Sequence, residues 1–291
     1  MIPAATFKDY GLRPLWVEII KIYQEYARIC KEHNLRHYAA YGTVLGAVRH
    51  HGFIPWDDDF DVIMPRQDYD KFVSVVEREL PAHLKFISHL NCRSYSAWFS
   101  KIQLASAETV ERVERETGNR HLPHGIYIDI FPVDGCYVGV RKGLRCLWSF
   151  LLFWRRYYKA GGLAGKLKVR SLCAKILGMS LGALFPRLST DKDFELYDIE
   201  RLKVPLFGST PRCATSNKVY RQIYPTRDYP VQCLGSGVMM PFEDMEVPVP
   251  SDYDTYLRTF YGEYMVLPDE KDRHATHGEL SDVVWRLGEV D

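Results

Sequence analysis

Tyr41-Gly42-Thr43-Val44-Leu45-Gly46-Ala47-Val48-Arg49, followed six residues later by Trp56-Asp57-Asp58-Asp59-Phe60-Asp61-Val62, is the densest chemical signal in the chain. The first part reads as a short strand that stops at Gly42-Thr43 and gives way to a short helix. A helix start offers backbone N–H groups and a positive dipole end to a phosphate, so Gly42 and Thr43 are candidates for donor binding. In the second part, residues two apart on a strand share a face. Asp59 and Asp61 then point one way, with Phe60 and Val62 buried behind them. Two carboxylates that close repel, and their ionised state calls for a cation beside them. Magnesium suits such oxygen ligands and keeps part of its shell for substrate phosphates. A solvated acidic turn after an ordinary helix-start glycine would account for the same residues without any ligand. The alternation with Phe60 and Val62 tips the reading toward metal.

Outward from this stretch, residues 15–33 carry Leu15, Ile19, Ile22, Tyr23, Tyr26 and Ile29 at spacings of three and four, the stripe of an amphipathic helix. Residues 60–64 read as a strand, 67–80 as a helix stopped by Pro81, and 95–104 as a second strand. Residues 125–131 alternate Ile126, Ile128 and Ile130 with other residues, a third strand for which Pro132 is the expected stop. Helices and strands mix without a βαβ rhythm, which predicts an α+β domain built on a mixed sheet.

The chain has 291 residues, 46% hydrophobic and 26% charged, which excludes a disordered or fibrous protein. Its net charge of +1 hides an asymmetry. Residues 135–190 hold eleven basic residues and no acidic one, interleaved with Trp148, Phe150, Phe153, Trp154, Tyr157 and Tyr158, and the rest of the chain carries a net −10. Such a segment fits the anionic face of a membrane, and equally a helical insertion with a cationic outer side. Nucleic acid is opposed by the acidic remainder. The seven cysteines are odd in number and form no C-x-x-C pair, so neither a disulfide framework nor a zinc site is expected. Residues 1–9 lack the pattern of a secretory signal, and the expectation is a cytoplasmic protein.

The combined pattern resembles the LicD family, whose members share the nucleotidyltransferase fold and are related to fukutin. The resemblance rests first on 41–62 with Pro65-Arg66-Gln67-Asp68-Tyr69 behind it. Ser100-Lys101-Ile102, the block from Gly125 to Gly135, and Val249-Pro250-Ser251-Asp252-Tyr253 with Tyr256-Leu257 and Tyr261-Gly262-Glu263-Tyr264 follow in the family's order. It implies an α+β, nucleotidyltransferase-like mixed sheet flanked by helices, with one domain over 1–291. Within it, 15–134 would be the catalytic core, 135–190 a basic aromatic helical insertion, and 191–291 the part completing the domain. By the same resemblance Asp59 and Asp61 are the D-x-D metal pair and Asp57 an additional acidic position. Asp129 is the third carboxylate, as a metal ligand or as the base for an incoming hydroxyl. Arg49 and Lys101 are candidate phosphate clamps, since guanidinium and ammonium suit a developing phosphoryl charge; each reads equally as a surface cation.

What the family does implies transfer of a phospho-alcohol group, phosphocholine from CDP-choline above all, to a hydroxyl of a cell-surface glycan or glycolipid precursor, with Mg2+ (or Mn2+) and release of CMP. The alternative on the same carboxylates is a nucleotidyltransferase placing NMP from an NTP on a sugar, small molecule or protein hydroxyl. A catalytically silent nucleotide- or membrane-binding relative is a third reading, disfavoured by the intact Asp59, Asp61 and Asp129 set. The expected location is cytoplasmic, with residues 135–190 suited to holding the protein peripherally on the inner face of the membrane. Tyr95, Trp98, Phe99 and Tyr127 offer either a cage for a quaternary ammonium or core packing.

Overall fold

The computed structural model describes residues 10–88, 90–92, 99–105, 125–135, 212–215 and 229–274. Helix α1 (Arg13–Glu32) buries Leu15, Ile19, Ile22, Tyr23, Tyr26 and Ile29, the stripe its sequence spacing predicts. After β1 (Tyr38–Ala39) comes α2 (Tyr41–His50), which takes in Gly42 and Thr43 as its first turn rather than starting beyond them. Strand β2 (Asp61–Pro65) feeds directly into α3 (Arg66–Glu79). Strands β3 (Leu84–Ile87), β4 (Ser100–Leu104), β5 (Tyr127–Gly135), β6 (Arg212–Thr215) and β7 (Tyr229–Pro230) follow, then a hairpin of β8 (Val238–Phe242) and β9 (Met245–Val249), and finally α4 (Tyr253–Tyr261).

The main sheet runs β1-β2-β5-β4-β3, with β6 and β7 continuing from β5. It is mixed: β2 and β5 are parallel, and every other pair is antiparallel. This is the α+β architecture expected from the sequence. The core lies where α1 and α3 pack against the sheet, with Tyr26, Phe60, Phe72 and Ile63 fully buried.

Pro132 does not end its strand. Strand β5 runs on to Gly135, pairing with β4 up to Ile130 and with β6 from Val133. The Asp129 N–H donates toward β2, to the Phe60 carbonyl. The N–H positions of 130 and 132 therefore face the other edge, and the proline, which has no donor, falls in the gap where β4 hands over to β6.

Among the described residues no helix is long and apolar enough to cross a membrane. The basic segment from 136 onward, and with it the helical insertion read from the sequence, lies outside the described residues, as do Tyr95 and Trp98.

Candidate active site

Strands β2, β5 and β4 lie side by side, and their register sets three charged residues in one row. Asp61 is the partner of Asp129 across the parallel pair, and Asp129 is the partner of Lys101 across the antiparallel one. All three are buried. The Lys101 Nζ stands 3.4 Å from Asp129 Oδ1 and 3.1 Å from the centre of the Tyr127 ring. Phe60 and Val62, one residue to either side of Asp61, have no exposed surface, as the alternation predicts. Phe60 packs its ring on Tyr23, Phe53 and Phe242.

Burial holds the Asp61 carboxyl well above the ordinary carboxylate range; Asp59, Asp129 and Asp57 push it further the same way, and Lys101 opposes them. The four predicted carboxylates are thus gathered closely enough to act on one another's charge. Among the described residues no three acidic, histidine or cysteine side chains already converge as a metal-ligand set.

Asp57 reaches the site by a different route. The acidic turn crosses the start of α2, where a Cβ on Gly42 would lie 2.5 Å from Asp57 Oδ2. A side chain at position 42 would force that carboxylate to move. The turn's backbone is pinned from α1, whose Trp16 indole N–H donates to the Asp57 carbonyl at 2.9 Å. The Trp16 ring stacks on Phe53, centroids 4.9 Å apart. Sequence spacing gave no hint of Trp16, because the contact joins residues 41 apart.

The first turn of α2 is more committed than a bare phosphate cradle. The N–H groups of Thr43 and Val44 both donate to the Ala40 carbonyl, and that of Tyr41 donates to the Tyr256 hydroxyl at 3.3 Å. The Thr43 hydroxyl accepts the Asp61 N–H at 2.9 Å, tying the helix start to the first residue of β2. Tyr41 itself has a φ of +45°, a left-handed conformation that is unusual for a bulky residue.

Arg49 lies toward the other end of α2, 2% exposed. Its Nη1 donates to the Tyr264 carbonyl at 2.8 Å and its Nε to His50 Nε2 at 2.9 Å. Burial lowers its basicity; Asp57 is among the charges that favour the cation and Arg273 among those that oppose it. The guanidinium therefore braces the fold within electrostatic reach of the acidic turn. Of the sequence candidates, Asp57, Asp59, Asp61, Asp129 and Lys101 are brought together, Gly42 and Thr43 adjoin them, and Arg49 stands behind.

Helix α4, which the sequence reading placed in the family's C-terminal block without a role at the site, closes on α2. Besides Tyr256 on Tyr41, it sets Phe260 perpendicular to the Tyr41 ring, centroids 5.2 Å apart. Tyr261, although its residue is 42% exposed, lies within electrostatic reach of the carboxylates: burial and then Asp57, Asp61 and Asp59 raise its hydroxyl above the usual phenol range. The run of tyrosines from 253 to 264 was the available signal. On the other face of β5, Asp134 takes two hydrogen bonds from Arg66, at 2.8 and 2.6 Å, both residues buried. Burial works against the Arg66 charge, and the Asp134 carboxylate outweighs it.

Residues 34–137 match the family profile described as LicD/FKTN/FKRP, nucleotidyltransferase domain. A relative named lipopolysaccharide cholinephosphotransferase LicD, from Haemophilus influenzae, is 25% identical over 284 residues, spanning 93% of this chain and 97% of its own length. An uncharacterised protein of Rickettsia typhi is 30% identical over 60 residues, 21% of this chain and 19% of that one. The four carboxylates, Gly42, Thr43, Arg49 and Lys101 all fall inside the matched region, and the chain carries a LicD-family nucleotidyltransferase domain.

Proposed function

We propose that this protein is a phosphotransferase that moves phosphocholine from CDP-choline to a hydroxyl of a cell-surface glycan or glycolipid precursor, releasing CMP. The observation that carries the reading is the Asp61–Asp129–Lys101 row beside the Gly42 turn, within a chain that aligns almost end to end with a lipopolysaccharide cholinephosphotransferase.

The donor set of Asp57, Asp59, Asp61 and Asp129 is all carboxylate oxygen, the chemistry that suits Mg2+. Asp61 in particular is buried among like charges that a divalent cation would relieve. Because no three of these side chains already converge, the cation would be held by one or two carboxylates and completed by substrate phosphates, the usual manner of binding Mg2+. When bound, Mg2+ would neutralise the pyrophosphate and the leaving CMP.

The protein's own groups divide the remaining work. The ammonium of Lys101 keeps Asp129 paired with a positive charge and so favours its ionised form. Asp129 orients the acceptor hydroxyl and takes its proton as the new O–P bond forms to the choline-bearing phosphorus. The bond from that phosphorus to the CMP oxygen breaks, and CMP leaves with the electron pair. The buried row excludes water and strengthens these interactions.

Incubation with CDP-choline, CDP-glycerol, CDP-ribitol and nucleoside triphosphates in the presence of Mg2+ tests this. CMP release from CDP-choline is expected. Pyrophosphate release from a triphosphate, with no CMP from any CDP-alcohol, would instead establish NMP transfer, the reading that the profile's nucleotidyltransferase description favours. In our reading the acceptor is lipid-borne, and the basic aromatic stretch 135–190 holds the enzyme on the anionic cytoplasmic face of the membrane. Co-sedimentation with anionic liposomes that weakens as salt rises is the expected behaviour, and its absence would remove that part.

A further inference from the structure

The sheet face that carries Asp61, Asp129 and Lys101 continues, one row along the strands, into aromatic side chains. Phe131 lies two residues beyond Asp129 on β5, and so on the same face. Continuing the β4–β5 register past Ser100 and Ile130 sets Phe99 beside it, and the two rings stand 4.4 Å apart, tilted by 33°. Tyr41 stands perpendicular to Phe131, centroids 5.5 Å apart. Tyr41 and Phe99 are half-buried; Phe131 is buried beneath them. The left-handed backbone at Tyr41 is what a helix start would normally avoid, and strained residues of this kind gather at ligand sites.

We propose that Tyr41, Phe99 and Phe131 form the subsite for the quaternary ammonium of the donor, an inference that rests on the transfer reaction proposed above. Two residues of strand advance roughly 6.6 Å. Four bonds separate phosphorus from nitrogen in phosphocholine, a comparable reach. A phosphorus at the carboxylate row therefore brings the trimethylammonium group over the aromatic row, where π faces attract a cation that cannot donate hydrogen bonds. The row on the other side of Asp129 is the one Lys101 fills, its ammonium standing 3.1 Å from the centre of the Tyr127 ring against 5.9 Å from that of Phe99. That lysine contact also shows that this face accepts an ammonium group. Two members of the cage considered from sequence, Phe99 and Tyr127, thus divide between two rows, and Tyr41 and Phe131 take up the first.

Calorimetric titration of the full-length protein with phosphocholine and with phosphoethanolamine tests the subsite without turnover. Phosphocholine is expected to bind more tightly than phosphoethanolamine. Phe99→Leu, at a half-buried position, and Tyr41→Leu should each weaken phosphocholine about ten-fold and leave phosphoethanolamine within about two-fold. Equal affinity for the two compounds in the natural protein, or phosphocholine affinity unchanged in both variants, overturns the subsite. Selective phosphocholine binding in a protein that releases no CMP from CDP-choline would uphold the subsite and overturn the reaction. CMP release with no such selectivity would do the reverse. Circular dichroism of both variants confirms that any loss is not unfolding.

Discussion

Asp61 and Asp129 are register partners on neighbouring parallel strands, so two carboxylates from segments 68 residues apart share one buried face. Nothing in packing requires that arrangement, and it works against stability. Asp61→Asn should therefore abolish CMP release while leaving the unfolding free energy in urea unchanged or raising it by up to ~1 kcal/mol, because a buried carboxyl disfavoured by its acidic neighbours is replaced by a neutral amide. Asp129→Asn should abolish turnover too, without that gain, since Lys101 then loses the carboxylate 3.4 Å from its ammonium. Normal turnover in both variants would remove these residues from the chemistry.

Gly42→Ala separates the site from the fold. Alanine is the better helix former by about 1 kcal/mol, yet its Cβ would displace the Asp57 carboxylate from 2.5 Å away. The expected result is a stability change of less than about 1 kcal/mol and a fall in turnover of at least ~10-fold, read by thermal melts and CMP assay.

Lys101→Met removes the positive charge beside Asp129. A carboxylate without that neighbour holds its proton to higher pH. The acidic limb of the pH–rate profile should move upward, together with a drop in kcat; a profile that keeps its position and height would show that Lys101 does not act on Asp129.

His37 gives the fold an acid-sensitive point away from the site. Burial lowers its imidazole from 6.5 to about 4. Between those values the unfolded chain binds a proton that the native state does not, so stability rises with pH in this window and falls on acidification. The full shift corresponds to ~3 kcal/mol at about 1.4 kcal/mol per unit, and the half-buried ring realises part of it. Urea unfolding between pH 7 and 4 should show this slope, and His37→Phe should flatten it.

The Arg66–Asp134 pair is both buried and bidentate. Removing one partner strands the other's charge, and Asp134→Asn should cost about 3–5 kcal/mol. Chemical denaturation checks this, against Asp70→Asn, which touches Arg66 only at 3.6 Å from a more exposed position and should cost less than ~1 kcal/mol.

The sequence made local features plain and long-range ones obscure. The apolar stripe of α1 is local and appears where the spacing puts it, and the alternation at 125–131 marks a real strand, although β5 starts at Tyr127, runs on to Gly135 and is buried on both faces. The carboxylates Asp59 and Asp61 are legible as chemistry because acidic residues alternating with apolar neighbours are conspicuous, whereas Asp129 is marked only by its place in a block that resembles the family's. The adjacency of Asp61 and Asp129 is not legible, because register between β2, β5 and β4 is decided by pairing across distant segments. Pro132 misled for a related reason: its effect depends on which edge of β5 its missing donor faces. Thr43 read as a phosphate contact, and its hydroxyl accepts the Asp61 N–H. The β8–β9 hairpin was hidden because Val238, Met239 and Pro241 are exposed and leave no inward–outward alternation to read.

Helix α4 grips α2 at two places, Tyr256 on the Tyr41 amide and the Tyr264 carbonyl just beyond α4 on Arg49, each across 215 residues of chain. The matched region 34–137 thus does not by itself supply every partner of the first turn of α2 and of Arg49. On the ribosome, a nascent chain holding every carboxylate would remain incompetent until almost the last segment emerged, and a C-terminal deletion removing residues 253–264 would disarm the enzyme without touching a single acidic side chain of its sheet.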